Sequence, residues 1–174
     1  MSRYSGKDVD RAVHAMAALF RDGGALSNGE RAELRRMDPR RIDAPAFWKL
    51  AARFFDDALA PGAALREQQE TAWASVVVGL AFLEQGAVVG ARAGHALREA
   101  GLSDARFVRF LRADRDTLID ELPALARFVA AKGVAIDWAD VARVLLLGDD
   151  AAEQQRRALA RDYYTNPDAK KDVA

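Results

Sequence analysis

Arg106, Arg109 and Arg112, spaced three apart and followed by Arg115, are the residues best placed for chemistry in this chain. At about 3.6 residues per turn the first three share one face of a helix. Phe107, Phe110 and Leu111 fall on the opposite face. The apolar side can anchor the helix in a core while the guanidinium groups point outward. Such a row of planar donor forks suits an extended run of phosphates. A solvated face with local ion pairs is the alternative for the same segment.

Charge elsewhere bears on that choice. The chain carries 26 basic and 26 acidic residues, a net charge of zero, which argues against a general nucleic-acid binder. The distribution is uneven, however. Between Arg31 and Arg41 the arginines 31, 35, 36, 40 and 41 face only Glu33 and Asp38. Between Arg92 and Arg115 six arginines face Glu99, Asp104 and Asp114. Lysines are few, at positions 7, 49, 132, 170 and 171; the preference for arginine is weak evidence, since a GC-rich genome produces the same bias.

Other chemistries lack their residues. With no cysteine there are no disulfides or thiolate metal sites, in keeping with a reducing, cytoplasmic setting. The only histidines are His14 and His95. Neither belongs to a metal-binding helix motif, and His14, beside an apolar stripe, reads as a structural histidine. The paired carboxylates Asp56-Asp57 and Asp149-Asp150 sit near helix ends, as caps or solvated charges do. There is no nucleophile elbow and no phosphate-binding glycine loop. Trp48, Trp73 and Trp138 each read as core side chains. The expectation is a non-enzyme with no cofactor and no metal.

The elements that must position the arginines are helical throughout. Asp8 to Phe20 carries an apolar stripe of Val9, Val13, Met16, Ala17 and Phe20. Ser27-Asn28-Gly29-Glu30 has the form of a capping box opening a helix to about Met37. Asp43-Ala44-Pro45 opens another, and Ala64 to Gln85 forms the longest, with Gly86 as its stop. Ala91 to Ala100 is a short helix closed by Gly101. Ser103 caps the arginine helix, and Asp114 caps the next, in which Pro123 implies a kink or fresh start. Asp137-Trp138 opens a helix to Leu147, and Asp149-Asp150 caps a last one ending near Tyr163-Tyr164. Beyond Asn166-Pro167 a polar, mobile tail is expected. The fold class is all-α: about nine helices in two small bundles, residues 1–88 and 89–174, with the boundary in the 86–94 stretch. The first residues lack the apolar run of a signal peptide, and the run from Ala72 to Leu83 is too short to span a bilayer, so no membrane contact is expected.

Read in order, these pieces resemble the small, CasB-type subunit of the type I-E CRISPR surveillance complex, Cascade. The resemblance is carried by Arg31-Ala32-Glu33-Leu34-Arg35-Arg36 and Ala44-Pro45-Ala46-Phe47-Trp48-Lys49-Leu50. It continues through Gly94-His95-Ala96-Leu97-Arg98-Glu99-Ala100-Gly101 and Arg106 to Arg115, with its Leu-Arg-Ala-Asp-Arg ending. Ile136-Asp137-Trp138 through Ala142-Arg143, then Arg156-Arg157 and Arg161-Asp162-Tyr163-Tyr164, complete it. It implies two helical bundles and a non-catalytic subunit of an antiviral, RNA-guided complex. Its implied partners are the crRNA-carrying backbone subunits, the large subunit and a second copy of itself. The implied role is to hold the displaced non-target DNA strand, and the backbone of the crRNA–target heteroduplex, so that the R-loop stays open. Such a role needs phosphate contacts, not base-edge readout.

Position by position the resemblance assigns nucleic-acid contacts to Arg35, Arg36, Arg106, Arg112, Arg115 and Arg143. Arg98 and Arg109 join them from their local patch. Where the family carries a basic residue this chain has His95, and a histidine carries little charge at pH 7, so that contact weakens or passes to Arg92 or Arg98. Arg115 has a second reading, pairing with Asp114 or Asp116 to fix a corner. Two other functions stay open: a helical protein–protein adaptor whose arginines meet acidic surfaces, and, ranked lower for want of a recognition-helix motif, a duplex-DNA regulator.

Overall fold

Two capping boxes set the first helices of the chain, whose residues 4–165 are described by a computed structural model. Ser5 accepts from the Asp8 amide and opens α1 (Gly6–Phe20), while Ser27 accepts from Glu30 and opens α2 (Asn28–Arg36). Pro45 at the first turn starts α3 (Pro45–Phe54), where its missing N–H costs nothing. The chain continues through α4 (Ala63–Leu83), α5 (Ala93–Glu99), α6 (Asp104–Arg112), α7 (Arg115–Ala131), α8 (Trp138–Leu146) and α9 (Asp149–Tyr164). Among the described residues there are nine α-helices, two 3-10 turns at Asp56–Ala58 and Glu84–Gly86, and no strand. The fold is all-α. No helix among the described residues is long and apolar enough to cross a membrane. The expected tail beyond Asn166-Pro167 lies outside the described residues.

The second half of α4 is the centre of the core, with Trp73, Val76, Val77 and Leu80 fully buried. It packs against α7, α2 and α8, while α1 lies on α8 and α5 on α9. One contiguous cluster of buried side chains draws on every helix. At Gly79 an added Cβ would lie 2.3 Å from the Trp138 ring, so only glycine lets α8 approach this closely. The indole Nε1 of Trp138 donates to the Val76 carbonyl at 3.0 Å, which fixes the crossing.

Four local expectations change. α4 stops at Leu83 because Glu84 turns to φ 46, not at Gly86; the Glu84 carboxylate is held there by Arg35. α7 runs unbroken through Pro123. The proline withholds an N–H from the carbonyl four residues back, that of Ile119, and the buried Ser75 hydroxyl donates to that oxygen at 2.7 Å. Gly148, not Asp149-Asp150, is the N-cap of α9, and the two aspartates fill its first turn. Trp48 is not a core residue: it is 44 % exposed. Phe47, Leu50 and Ala51 take the buried stripe of α3, and position 48 falls outside it.

Candidate nucleic-acid interface

The arginine face of α6 is built as its spacing predicts. Ser103 caps the helix, Phe107 and Phe110 are buried beneath it, and Arg106, Arg109 and Arg112 are exposed. The helix ends at Arg112 with Ala113 as its extended C-cap, and Asp114 opens α7 by accepting from the Thr117 amide at 2.8 Å. That backbone bond holds the Asp114 carboxyl below its ordinary value. Its oxygen is therefore committed to the corner, and Asp116 is bound by Arg40 at 3.0 Å. Neither carboxylate pairs with Arg115, so the corner is fixed by the Asp114 cap rather than by an Arg115 ion pair.

The four arginines of this corner differ in freedom. Arg106 lies over the Phe128 ring at 4.8 Å, and Arg109 pairs with Glu121 at 3.1 Å, so both lean on α7. Arg112 is exposed and has no hydrogen-bond or ion-pair partner among the described residues. Arg115 is exposed at the start of α7; surrounding protein lowers its pKa, and the field of Asp149 partly offsets this. An arginine so placed remains a cation at any working pH.

Arg112 and Arg115 line one groove of about 520 Å³ where the α6–α7 corner meets the α8–α9 corner, together with Arg156. A shallow depression of about 450 Å³ carries the surface on from Arg112 to Arg109. Asp114, Asp149 and Glu153 also line the groove, so its fixed charges balance. Asp114 is occupied as a cap and Glu153 pairs with Arg157 at 3.1 Å. The groove's uncommitted donors are thus arginine N–H groups. One of them is the Arg156 Nε, which is buried without a partner among the described residues.

Of the remaining candidates, Arg35, Arg98 and Arg143 are engaged by other parts of the fold. Arg35 donates from Nε to the Ala81 carbonyl at 3.1 Å and binds Glu84, locking α2 to the end of α4. Arg98 donates to the Tyr163 carbonyl at 3.1 Å and lies 5.9 Å from its ring; Tyr163 itself is stacked on Phe107 at 3.9 Å. Arg143 is the most enclosed. Its Nε meets Asp10 at 2.6 Å, while Nη1 reaches Gln155 at 3.1 Å and Asp140 at 3.4 Å. Burial pushes the Asp140 carboxyl up, and the Ala93 amide and Arg143 pull against it. Arg36, by contrast, is exposed with no partner among the described residues. The described side-chain pairings and grooves bring Arg106, Arg109, Arg112 and Arg115 together and join neither Arg35, Arg36, Arg98 nor Arg143 to them.

Two further arginines that the sequence does not single out touch this corner. Arg156 donates from Nη2 to the Ala113 carbonyl at 3.1 Å, bracing the end of α6 from α9. Arg40 binds two acidic residues of α7. Both belong to basic runs, but only tertiary contacts distinguish them from their neighbours. His14 is a structural histidine, with Nε2 2.8 Å from the Asp137 carboxylate. Among the described residues no group of three or more His, Asp and Glu side chains could hold a metal ion.

Compared with known proteins, the chain matches a family model described as CRISPR-associated protein Cse2 over residues 30–164. No curated protein and no solved structure matches it.

Proposed function

The chain belongs to the CRISPR-associated protein Cse2 family, and from that membership we propose a non-catalytic subunit of a type I-E Cascade complex that holds the displaced DNA strand at its α6–α7 corner. Opening an R-loop exchanges one duplex for another of similar stability, so a few backbone contacts can tip the balance. Guide pairing reads the sequence, which leaves this subunit only phosphates to recognise. The observation that carries the reading is the pair Arg112 and Arg115, exposed on the rim of one groove and held in register by the Asp114 cap. Arg106 and Arg109 extend the row along α6 and can exchange their present partners for phosphates. Arg36 offers a separate contact on α2. In this reading the crRNA-carrying backbone, the large subunit and a second copy of the chain complete the path, and the chain divides near residue 88 into two bundles sharing one core.

Binding by the isolated subunit is weak, because neutral net charge gives little long-range steering. Fluorescence anisotropy of a labelled single-stranded oligonucleotide over a salt series tests the reading. Arg112→Ala/Arg115→Ala should weaken binding and reduce the salt slope by roughly 0.7 for each phosphate that is no longer neutralised. Equal binding by wild type and variant would move the interface elsewhere.

One observation favours the adaptor instead. Trp48 is 44 % exposed, and large aromatic side chains often anchor protein interfaces. An adaptor would retain its protein partners after nuclease treatment and release them on Trp48→Ala.

A further inference from the structure

Resting on the strand-holding reading, we propose that Arg40 is a positioning residue that makes the corner attractive to phosphates by masking two carboxylates, without touching the strand itself. Without Arg40 the corner carries one more anion than cation: Arg106, Arg109, Arg112, Arg115 and Arg156 stand among Asp114, Asp116, Asp120, Glu121, Asp149 and Glu153. Glu121 is committed to Arg109 and Asp114 to its cap. Asp116 and Asp120, one turn apart on α7, are 82 % and 68 % exposed. Asp116 lines the same depression as Arg115, and both aspartates line the one containing Arg106 and Arg109. Left bare, they would repel a phosphate chain where the arginines attract it.

Arg40 covers both. Its Nε and Nη2 donate to the two oxygens of the Asp120 carboxylate at 3.2 and 3.1 Å, a bidentate grip. Nη1 donates to Asp116 Oδ1 at 3.0 Å, and Nη2 also to the Asp116 backbone carbonyl at 3.0 Å. Four of the five guanidinium N–H groups are thereby used, leaving little with which to bind a phosphate directly. The loop is shaped for this aim. Asp38 Oδ1 accepts from the Arg40 amide at 2.9 Å, and the Asp38 carbonyl accepts from the Arg41 amide at 2.9 Å. A tight turn thus presents Arg40 to α7. With Arg40 counted, the cations and anions of the corner balance, and the two aspartates nearest the arginine row are the ones it neutralises.

The test uses the single-strand titration at low salt, where exposed charges are least screened. Arg40→Ala should weaken binding about fivefold, and the triple variant Arg40→Ala/Asp116→Asn/Asp120→Asn should return to within about twofold of wild type. Rescue of this kind is not something a merely structural arginine would show. A triple variant as weak as Arg40→Ala would overturn the mask in favour of direct contact, and unchanged binding by Arg40→Ala would remove any role. Should Arg40→Ala melt early, Asp116→Asn/Asp120→Asn retains the arginine and should bind at least as tightly as wild type; weaker binding overturns the proposal. If only Arg112→Ala/Arg115→Ala weakens binding, the mask fails and the strand-holding reading stands. If that variant also binds like wild type, both fall.

Discussion

Arg112 and Arg143 are the same side chain put to opposite uses by their neighbours. Arg112 faces solvent with no partner among the described residues, whereas Arg143 joins α1, α8 and α9 through Asp10, Asp140 and Gln155. Arg143→Ala would leave Asp10 and Asp140 half-buried without their cation, costing about 2 kcal/mol of stability. Urea unfolding should read that deficit while single-strand affinity stays unchanged; the reverse pattern would return Arg143 to the interface. The outward face of α6 could be read from sequence because its partners, Phe107 and Phe110, lie within a single turn. The fate of Arg143 could not, since Asp10 is 133 residues away. Arg35 escaped for the same reason, its acceptors being Ala81 and Glu84, near the end of α4.

At the scale of elements, α7 depends on a repair made by another helix. Pro123 leaves the Ile119 carbonyl without its helical donor, and Ser75 of α4 supplies one. Ser75→Ala should cost about 1–3 kcal/mol by orphaning that oxygen, and much less in a Pro123→Ala background where the amide is restored. A double-mutant cycle by denaturant unfolding measures the coupling, and additive effects would disprove it. Capping gives a second prediction, for pH. The Lys49 ammonium and the Ser27 amide and hydroxyl pull the Glu30 carboxyl down from 4.5 to about 2. A carboxyl depressed in the folded state contributes stability that is complete above its unfolded value and lost as pH falls towards the folded one. Thermal melts from about pH 5 to about pH 2 should therefore show a decline that Glu30→Gln flattens. The Ser27–Glu30 box was readable because its signal is local, three residues apart. The unbroken run through Pro123 was not, because its donor comes from a helix 44 residues away in sequence.

The whole molecule is electrically neutral, so any affinity for nucleic acid comes from how its charges are arranged. The shared core holds α6, α7 and α9 together, and the groove between their corners places Arg112 and Arg115 on one rim. On the strand-holding reading, neutrality accounts for weak binding by a single subunit, and tighter binding in the complex would need further phosphate-binding groups from neighbouring subunits. The decisive measurement is the lifetime of the R-loop in crRNA-loaded Cascade reconstituted with wild-type or Arg112→Ala/Arg115→Ala subunit, read by the reactivity of the displaced strand to a single-strand-specific probe. The strand-holding account predicts normal assembly and a shortened lifetime with the variant. Normal assembly with an unchanged lifetime would contradict it.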